Sequence, residues 1–174
     1  MDGNESAQVG VVMGSDSDLA IMRQTLEALL EFGIPYEAQV CSAHRSPDRA
    51  GLYASSAAER GLKVIICGAG MAAHLAGVMA ASTSLPVIAV PLAASSLAGI
   101  DSLLSSVQMP PGVPVATVAI NGARNAAILA VQILALSDPE LAEKLVAFKA
   151  KMADGIDEKN RNMAAILKGR PKGR

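Results

Sequence analysis

Aromatic side chains are almost missing from this chain: it has no Trp, two Tyr and two Phe, 2% of 174 residues. A core must then be assembled from Ala, Val, Ile, Leu and Met, so helices and strands are expected to approach closely. The shortage removes the rings on which bases stack, and a net charge of -1 leaves no electrostatic footprint for a phosphate backbone. Nucleic acid is therefore not an expected partner. Cysteine is scarce too. Cys41 and Cys67 each close an apolar run and are expected as buried, reduced thiols, and two Cys with two His at these spacings match no zinc pattern. The start, Met1-Asp2-Gly3-Asn4-Glu5-Ser6, lacks the basic region and apolar run of a secretory signal, so a cytoplasmic location is expected.

Formal charge is missing from the middle of the chain, where Asp101 alone separates Lys63 from Arg124. The apolar runs there are too short to cross a membrane. Val64-Ile65-Ile66-Cys67 stops at Gly68-Ala69-Gly70, and Val87-Ile88-Ala89-Val90 lies between Pro86 and Pro91, far from the ~20 residues a spanning helix needs. Burial explains the region better, and helices from it are expected to face partner subunits as well as the core.

What is present is an alternation of strand and helix. Strands are predicted at about Gln8–Met13, Pro35–Cys41, Lys63–Cys67, Val87–Val90 and Val115–Ala119. Helices are predicted at Asp18–Phe32, Asp48–Arg60, Gly70–Ser82, Ala98–Val107 and Ala123–Leu136, with Gly33 and Gly61 as left-handed stops after the first two. Such alternation implies an α/β fold with a central parallel sheet covered on both faces. We expect one domain over 1–174: a core over about 8–136, a helical extension over about 138–167, and a basic, disordered tail over 168–174.

Three segments follow strand ends, where open α/β sheets collect ligands. Ser42-Ala43-His44-Arg45-Ser46-Pro47 puts one of two histidines beside an arginine, the alternative being a capped turn with a surface histidine. Gly14-Ser15-Asp16-Ser17-Asp18 offers helix N-terminal N–H groups and hydroxyls to a phosphate, and Asp18 or Asp16 could accept ribose hydroxyls; plain N-capping is the bland alternative. Gly68-Ala69-Gly70-Met71-Ala72-Ala73 formally fits GxGxxA. It follows the third strand rather than the first, and no acid stands between Thr83 and Ile100, so the glycines read as places where backbone meets a ligand. His74 follows, with a hydrogen-bonded core histidine as the plainer alternative. A flavin would want aromatic walls, and a phospho-accepting receiver an aspartate where Cys67 and Gly68 stand, so both readings lose ground.

Taken together, Val12-Met13-Gly14-Ser15 with Ser17-Asp18, Ser42 through Pro47, Gly68-Ala69-Gly70 with Ala72-Ala73-His74-Leu75, Asp101-Ser102-Leu103, Val107-Gln108-Met109-Pro110 and Asn125-Ala126-Ala127 resemble the class I N5-carboxyaminoimidazole ribonucleotide mutases of purine synthesis, collinearly from about Val9 to Leu136. The Ala-Ala-His-Leu segment resembles the mutases rather than the related carboxylases that take free carbon dioxide. Two positions depart from the pattern: Met71 stands where the family usually shows glycine, and Ala76 where it usually shows proline. The resemblance implies a flavodoxin-like three-layer sandwich, a homo-octamer, a ribonucleotide substrate, and neither metal nor organic cofactor. By the same resemblance, Ser15, Ser17, Ser42 and Arg45 hold the 5'-phosphate and Asp18 the ribose. His44 moves protons, and Ala43, Gly68, Ala69, Gly70 and His74 surround the substrate's reacting part. Histidine suits that role because its charge changes near neutral pH. The remaining alternatives are a carboxylase on the same scaffold and a catalytically silent phospho-ligand binding protein.

Overall fold

The computed structural model describes residues 6–168, so the tail expected to be disordered lies outside them, apart from Lys168 at the end of the last helix. The chain divides after Leu134 into two compact units.

The first unit is built on five parallel strands: β1 (Val9–Met13), β2 (Tyr36–Val40), β3 (Val64–Gly70), β4 (Val87–Leu92) and β5 (Ala116–Thr117), in the spatial order β2-β1-β3-β4-β5. That order is the flavodoxin-like one, and its direction of winding reverses between β1 and β3. The interior strands are apolar because helices cover both faces. Every residue of β1 and β4 is buried, and Val64, Ile65 and Ile66 of β3 are fully so, each such side chain contributing about 1.5–3 kcal/mol by leaving water. β2 differs from the expected pattern: Ala38, Gln39 and Val40 are exposed, since an edge strand has one sheet neighbour and half its cover. β5, at the other edge, is shorter than predicted and exposes Ala116. Its pairing to β4 ends as Val118 N–H donates to the Ala89 carbonyl. Pro91 therefore sits in β4 beyond the last β5 pair, where its missing N–H is not needed.

Helices α1 (Leu19–Phe32) and α5 (Ala123–Leu134) pack together on one face of the sheet. Ala123, Ala126, Ala127 and Ala130 form the buried face of α5, and their small side chains bring it close enough to α1 for the Thr25 hydroxyl to donate to the Ala123 carbonyl at 2.8 Å. At the outer rim of the same pair, Arg124 makes a two-pronged ion pair with Glu31 at 3.0 and 2.7 Å. Helices α2 (Pro47–Ser55) and α3 (Leu75–Ser82) pack together around Val12, Cys41, Ile65 and Cys67. Both cysteines are free and buried, as expected. α4 (Ile100–Val107) follows β4.

Helix boundaries differ from the sequence expectation in several places, α5 among them, which stops at Leu134 rather than Leu136; three others have a visible cause. α2 stops at Ser55 because the Ser55 and Ser56 hydroxyls both turn back to the Leu52 carbonyl, and irregular turns then run on to Gly61 at φ +94°. α3 begins at Leu75, not Gly70, because Gly68-Ala69-Gly70 continues β3, paired with Val90, Pro91 and Leu92. α4 begins at Ile100 rather than Ala98, since Ala98 and Gly99 both take left-handed backbone, at φ +50° and +90°.

The second unit carries α6 (Pro139–Lys168), capped by Asp138, whose carboxylate accepts the Leu141 N–H at 3.0 Å. Among the described residues no helix is long and apolar enough to cross a membrane.

Candidate active site

Strand order brings three turns to one end of the sheet. β2, β1 and β3 are neighbours, so the segments leaving their carboxyl ends meet at the point where winding reverses, and the Gly14 N–H joins β1 to β3 by donating to the Gly68 carbonyl at 3.1 Å. A cleft of about 540 Å³ opens there. Its walls contain every site residue predicted from sequence except Gly68.

From the β1 turn come Ser15, Ser17 and Asp18. Asp18, at 8% exposure, accepts the Ser15 N–H at 2.9 Å and so folds the turn back on itself. Burial raises its carboxyl above the usual value, against the lowering effect of N–H groups from Ser15 and Gly14, with Asp16 adding to the rise and Arg45 opposing it. From the β2 turn come Ser42, Ala43, His44 and Arg45. The Ser42 hydroxyl accepts the Arg45 backbone N–H at 3.2 Å, and the Arg45 guanidinium donates to the Gly14 carbonyl at 3.2 Å. A cation on the second turn is thereby fixed against the first, at the Gly14 carbonyl.

The β3 end supplies Ala69, Gly70, Met71, Ala72 and His74. Here the sequence expectation needs correcting, because Gly68 and Gly70 do not form a turn. They are strand residues made necessary by close packing: a Cβ on Gly68 would lie 2.5 Å from Met22 Sδ, and one on Gly70 would lie 2.5 Å from the Cβ of Ala94. Gly68 is buried behind the cleft wall rather than in it. The left-handed backbone falls instead on Met71, at φ +57°, a conformation that costs a residue with a side chain roughly 1–2 kcal/mol. Two short hydrogen bonds then carry the chain to His74, from Ala73 N–H to the Met71 carbonyl at 2.9 Å and from His74 N–H to the Ala72 carbonyl at 2.8 Å.

The two histidines, 30 residues apart in sequence, meet over the end of β1. His44 Nε2 lies 2.7 Å from His74 Nδ1, with the rings edge to face and their centroids 4.9 Å apart. One nitrogen must donate and the other accept, so the pair shares a single proton on this line. Both rings are exposed to the cleft, which removes the core-histidine alternative for His74.

Sequence reasoning missed Ala94, which enters the wall because β4 runs beside β3 to Leu92. Asn121 holds that segment, accepting the Ala93 N–H at 3.0 Å from its own left-handed position at φ +58°. The Asn121-Gly122 dipeptide was the available signal, since Asn before Gly marks such turns. The resulting cleft is chemically two-ended. Hydroxyls, Asp18 and Arg45 come from β1 and β2, small apolar surfaces come from β3 and β4, and the histidine pair lies between them. Among the described residues no three His, Cys, Asp or Glu side chains gather as a metal-ligating set.

Known proteins share this architecture. The chain matches the AIR carboxylase family over residues 8–155. It is 56% identical over 159 residues to the N5-carboxyaminoimidazole ribonucleotide mutase of Thermotoga maritima, spanning 91% of this chain and 93% of that one. It is also 56% identical over 158 residues to the phosphoribosylaminoimidazole carboxylase of Schizosaccharomyces pombe, spanning 91% of this chain and 29% of that longer protein. The crystal structure of Treponema denticola PurE aligns with a TM-score of 0.81 at 30% identity, over 90% of this chain and 98% of that chain. The chain belongs to the AIR carboxylase family.

Proposed function

We propose that the chain is an N5-carboxyaminoimidazole ribonucleotide mutase, moving a carboxyl group from the exocyclic nitrogen of the aminoimidazole to ring carbon C4. The observation that carries this reading is the His44–His74 contact of 2.7 Å in the wall of one two-ended cleft. A nucleotide monophosphate suits that shape. Its phosphate takes the end with Ser15, Ser17, Ser42 and Arg45, its ribose the Asp18 carboxylate, and its base the glycine- and alanine-lined end. Gly68 lies buried behind that end, where the absence of a side chain lets β3 pack against Met22.

The chemistry asks for one proton to be given and one taken. Breaking the N–C bond leaves the electron pair on nitrogen and releases carbon dioxide, and His44 supplies the proton nitrogen needs. Ring carbon C4 then attacks the carbon dioxide, and His44 removes the proton that C4 carried, which restores the ring. Positioned proton transfer of this kind contributes about 10²–10⁴-fold. His74, at hydrogen-bond distance, couples its own tautomer to that of His44, since one of the two facing nitrogens must donate and the other accept. Small apolar walls keep water from the released carbon dioxide and hold it beside C4.

His44→Asn is expected to retain nucleotide binding, measured by calorimetry, while turnover is lost. A variant that turns over at a comparable rate removes His44 from the chemistry. A second reading, a carboxylase that takes carbon dioxide from solution, is favoured by the name of the fission-yeast relative. We also propose a homo-octamer working in the cytoplasm. The stripe of Ile100, Leu104 and Val107 along α4, with Leu97 in the turn before it, each about half exposed or more, supports an assembly of copies.

A further inference from the structure

Asp16 stands between two of the residues given to the phosphate, Ser15 and Ser17, yet its own side chain is exposed and takes no part in the cleft wall. One carboxylate oxygen, Oδ1, accepts both the Ser15 hydroxyl and the Ser17 backbone N–H, each at 3.0 Å. Two donors at the phosphate end are thus already turned to an anion that the chain itself carries. Among the described residues Asp16 forms an ion pair with no cation that would cancel its charge. Its field reaches the cleft, since Asp16 helps Asp18 hold its proton while Arg45 opposes this. Around the phosphate end, two carboxylates therefore stand against the one guanidinium of the cleft wall, Arg45.

We propose that Asp16 is an internal competitor of the substrate's phosphate: its carboxylate occupies the Ser15 hydroxyl and the Ser17 N–H while the cleft is empty, gives them up when a nucleotide enters, and so sets how tightly the phosphate is held. This inference rests on the phosphate assignment of the proposed function. Hydrogen bonds to a charged acceptor are the strong ones, so entry must exchange two of them for bonds to phosphate and bring a second anion close to a like charge. Substrate and product carry the same phosphate, so both meet the same opposition. The chemical step is untouched by it, whereas the product leaves sooner.

The test titrates the whole chain by calorimetry with the uncarboxylated nucleotide, in buffer freed of bicarbonate so that nothing turns over, and with its dephosphorylated nucleoside. Asp16→Asn keeps the size and one acceptor oxygen but removes the charge, and should tighten nucleotide binding about 2–5-fold at low ionic strength, the usual size of one exposed charge contact. Asp16→Ala also frees both donors and should tighten it at least as much. The nucleoside should bind all three proteins alike, and the gain in Asp16→Asn should shrink as salt is added. Asp16 is exposed, so both variants are expected to fold, which thermal unfolding checks; the Asn variant decides alone if the Ala variant melts early. If Asp16→Asn binds the nucleotide no tighter than wild type does, or tightens the nucleoside equally, the inference falls, and the phosphate end still stands provided wild type prefers nucleotide to nucleoside. If wild type binds the two alike, the phosphate assignment falls and takes the inference with it.

Discussion

Gly70→Ala tests the packing that shapes the cleft. A Cβ placed on Gly70 would sit 2.5 Å from the Cβ of Ala94, 3.4 Å from the Leu92 carbonyl oxygen and 3.7 Å from Ala94 Cα. Carbon atoms rest at about 3.5–4.0 Å, so Ala94 must retreat by about 1 Å. It cannot do so by rotating a side chain, because its Cβ is fixed to backbone that runs from the end of β4 and is held by Asn121. Overpacking of this kind costs about 1–3 kcal/mol. For a chain of this size each kcal/mol lowers the melting temperature by about 2–4 °C, so a fall of roughly 2–12 °C is expected in thermal unfolding. Ala94→Gly removes the only contact under 3.4 Å, so the double variant should recover much of the loss, with a coupling energy of about 0.5–3 kcal/mol in the cycle. If Gly70→Ala unfolds within about 0.5 kcal/mol of wild type, or if Ala94→Gly fails to rescue it, the glycine is not there for close approach and the explanation of the β3 end is wrong.

Two further outcomes follow from buried polar groups. Thr25→Val keeps the shape of a fully buried residue but deletes the hydroxyl bond to Ala123 that ties α1 to α5, and should lower stability by about 1 kcal/mol in urea unfolding; an unchanged midpoint would show that alanine packing alone joins the two helices. Asp18 holds its proton more tightly when folded than the ordinary value of 3.8, chiefly through burial. In the window from 3.8 up to the folded value the folded state binds more protons, so its contribution to stability is greatest at low pH and is lost as pH rises through that window. Subtracting the Asp18→Asn stability curve from that of wild type should expose this fall; a difference that rises with pH there contradicts the burial argument.

The sequence made the sheet legible because β1, β3 and β4 are short apolar runs bounded by glycine or proline, and because Gly33 ends α1 with the positive φ it was expected to take; Gly61 also takes positive φ, but well past the end of α2 at Ser55. Glycine misled at Gly68 and Gly70, since the same residue serves a turn and a tight strand contact, and only Met22 and Ala94 in place show which applies. The left-handed backbone at Met71 was not foreseen for the converse reason: the residue that takes it carries a side chain. His44 and His74 were each visible as candidates. Their contact was not, because it depends on β1 lying between β2 and β3, a property of strand order that no local spacing encodes. Ala94 carries no chemistry that could single it out.

The claim that joins cleft, histidine pair and apolar wall is that the carboxyl group comes from the substrate itself. Purified enzyme supplied separately with the N-carboxylated nucleotide, and with the uncarboxylated nucleotide plus bicarbonate, measures this directly by the rate at which C-carboxylated product forms. The account predicts fast turnover of the first and little of the second at physiological bicarbonate. Equal or faster turnover of the uncarboxylated nucleotide would make the protein a carboxylase, and no turnover of either would leave it a binding protein.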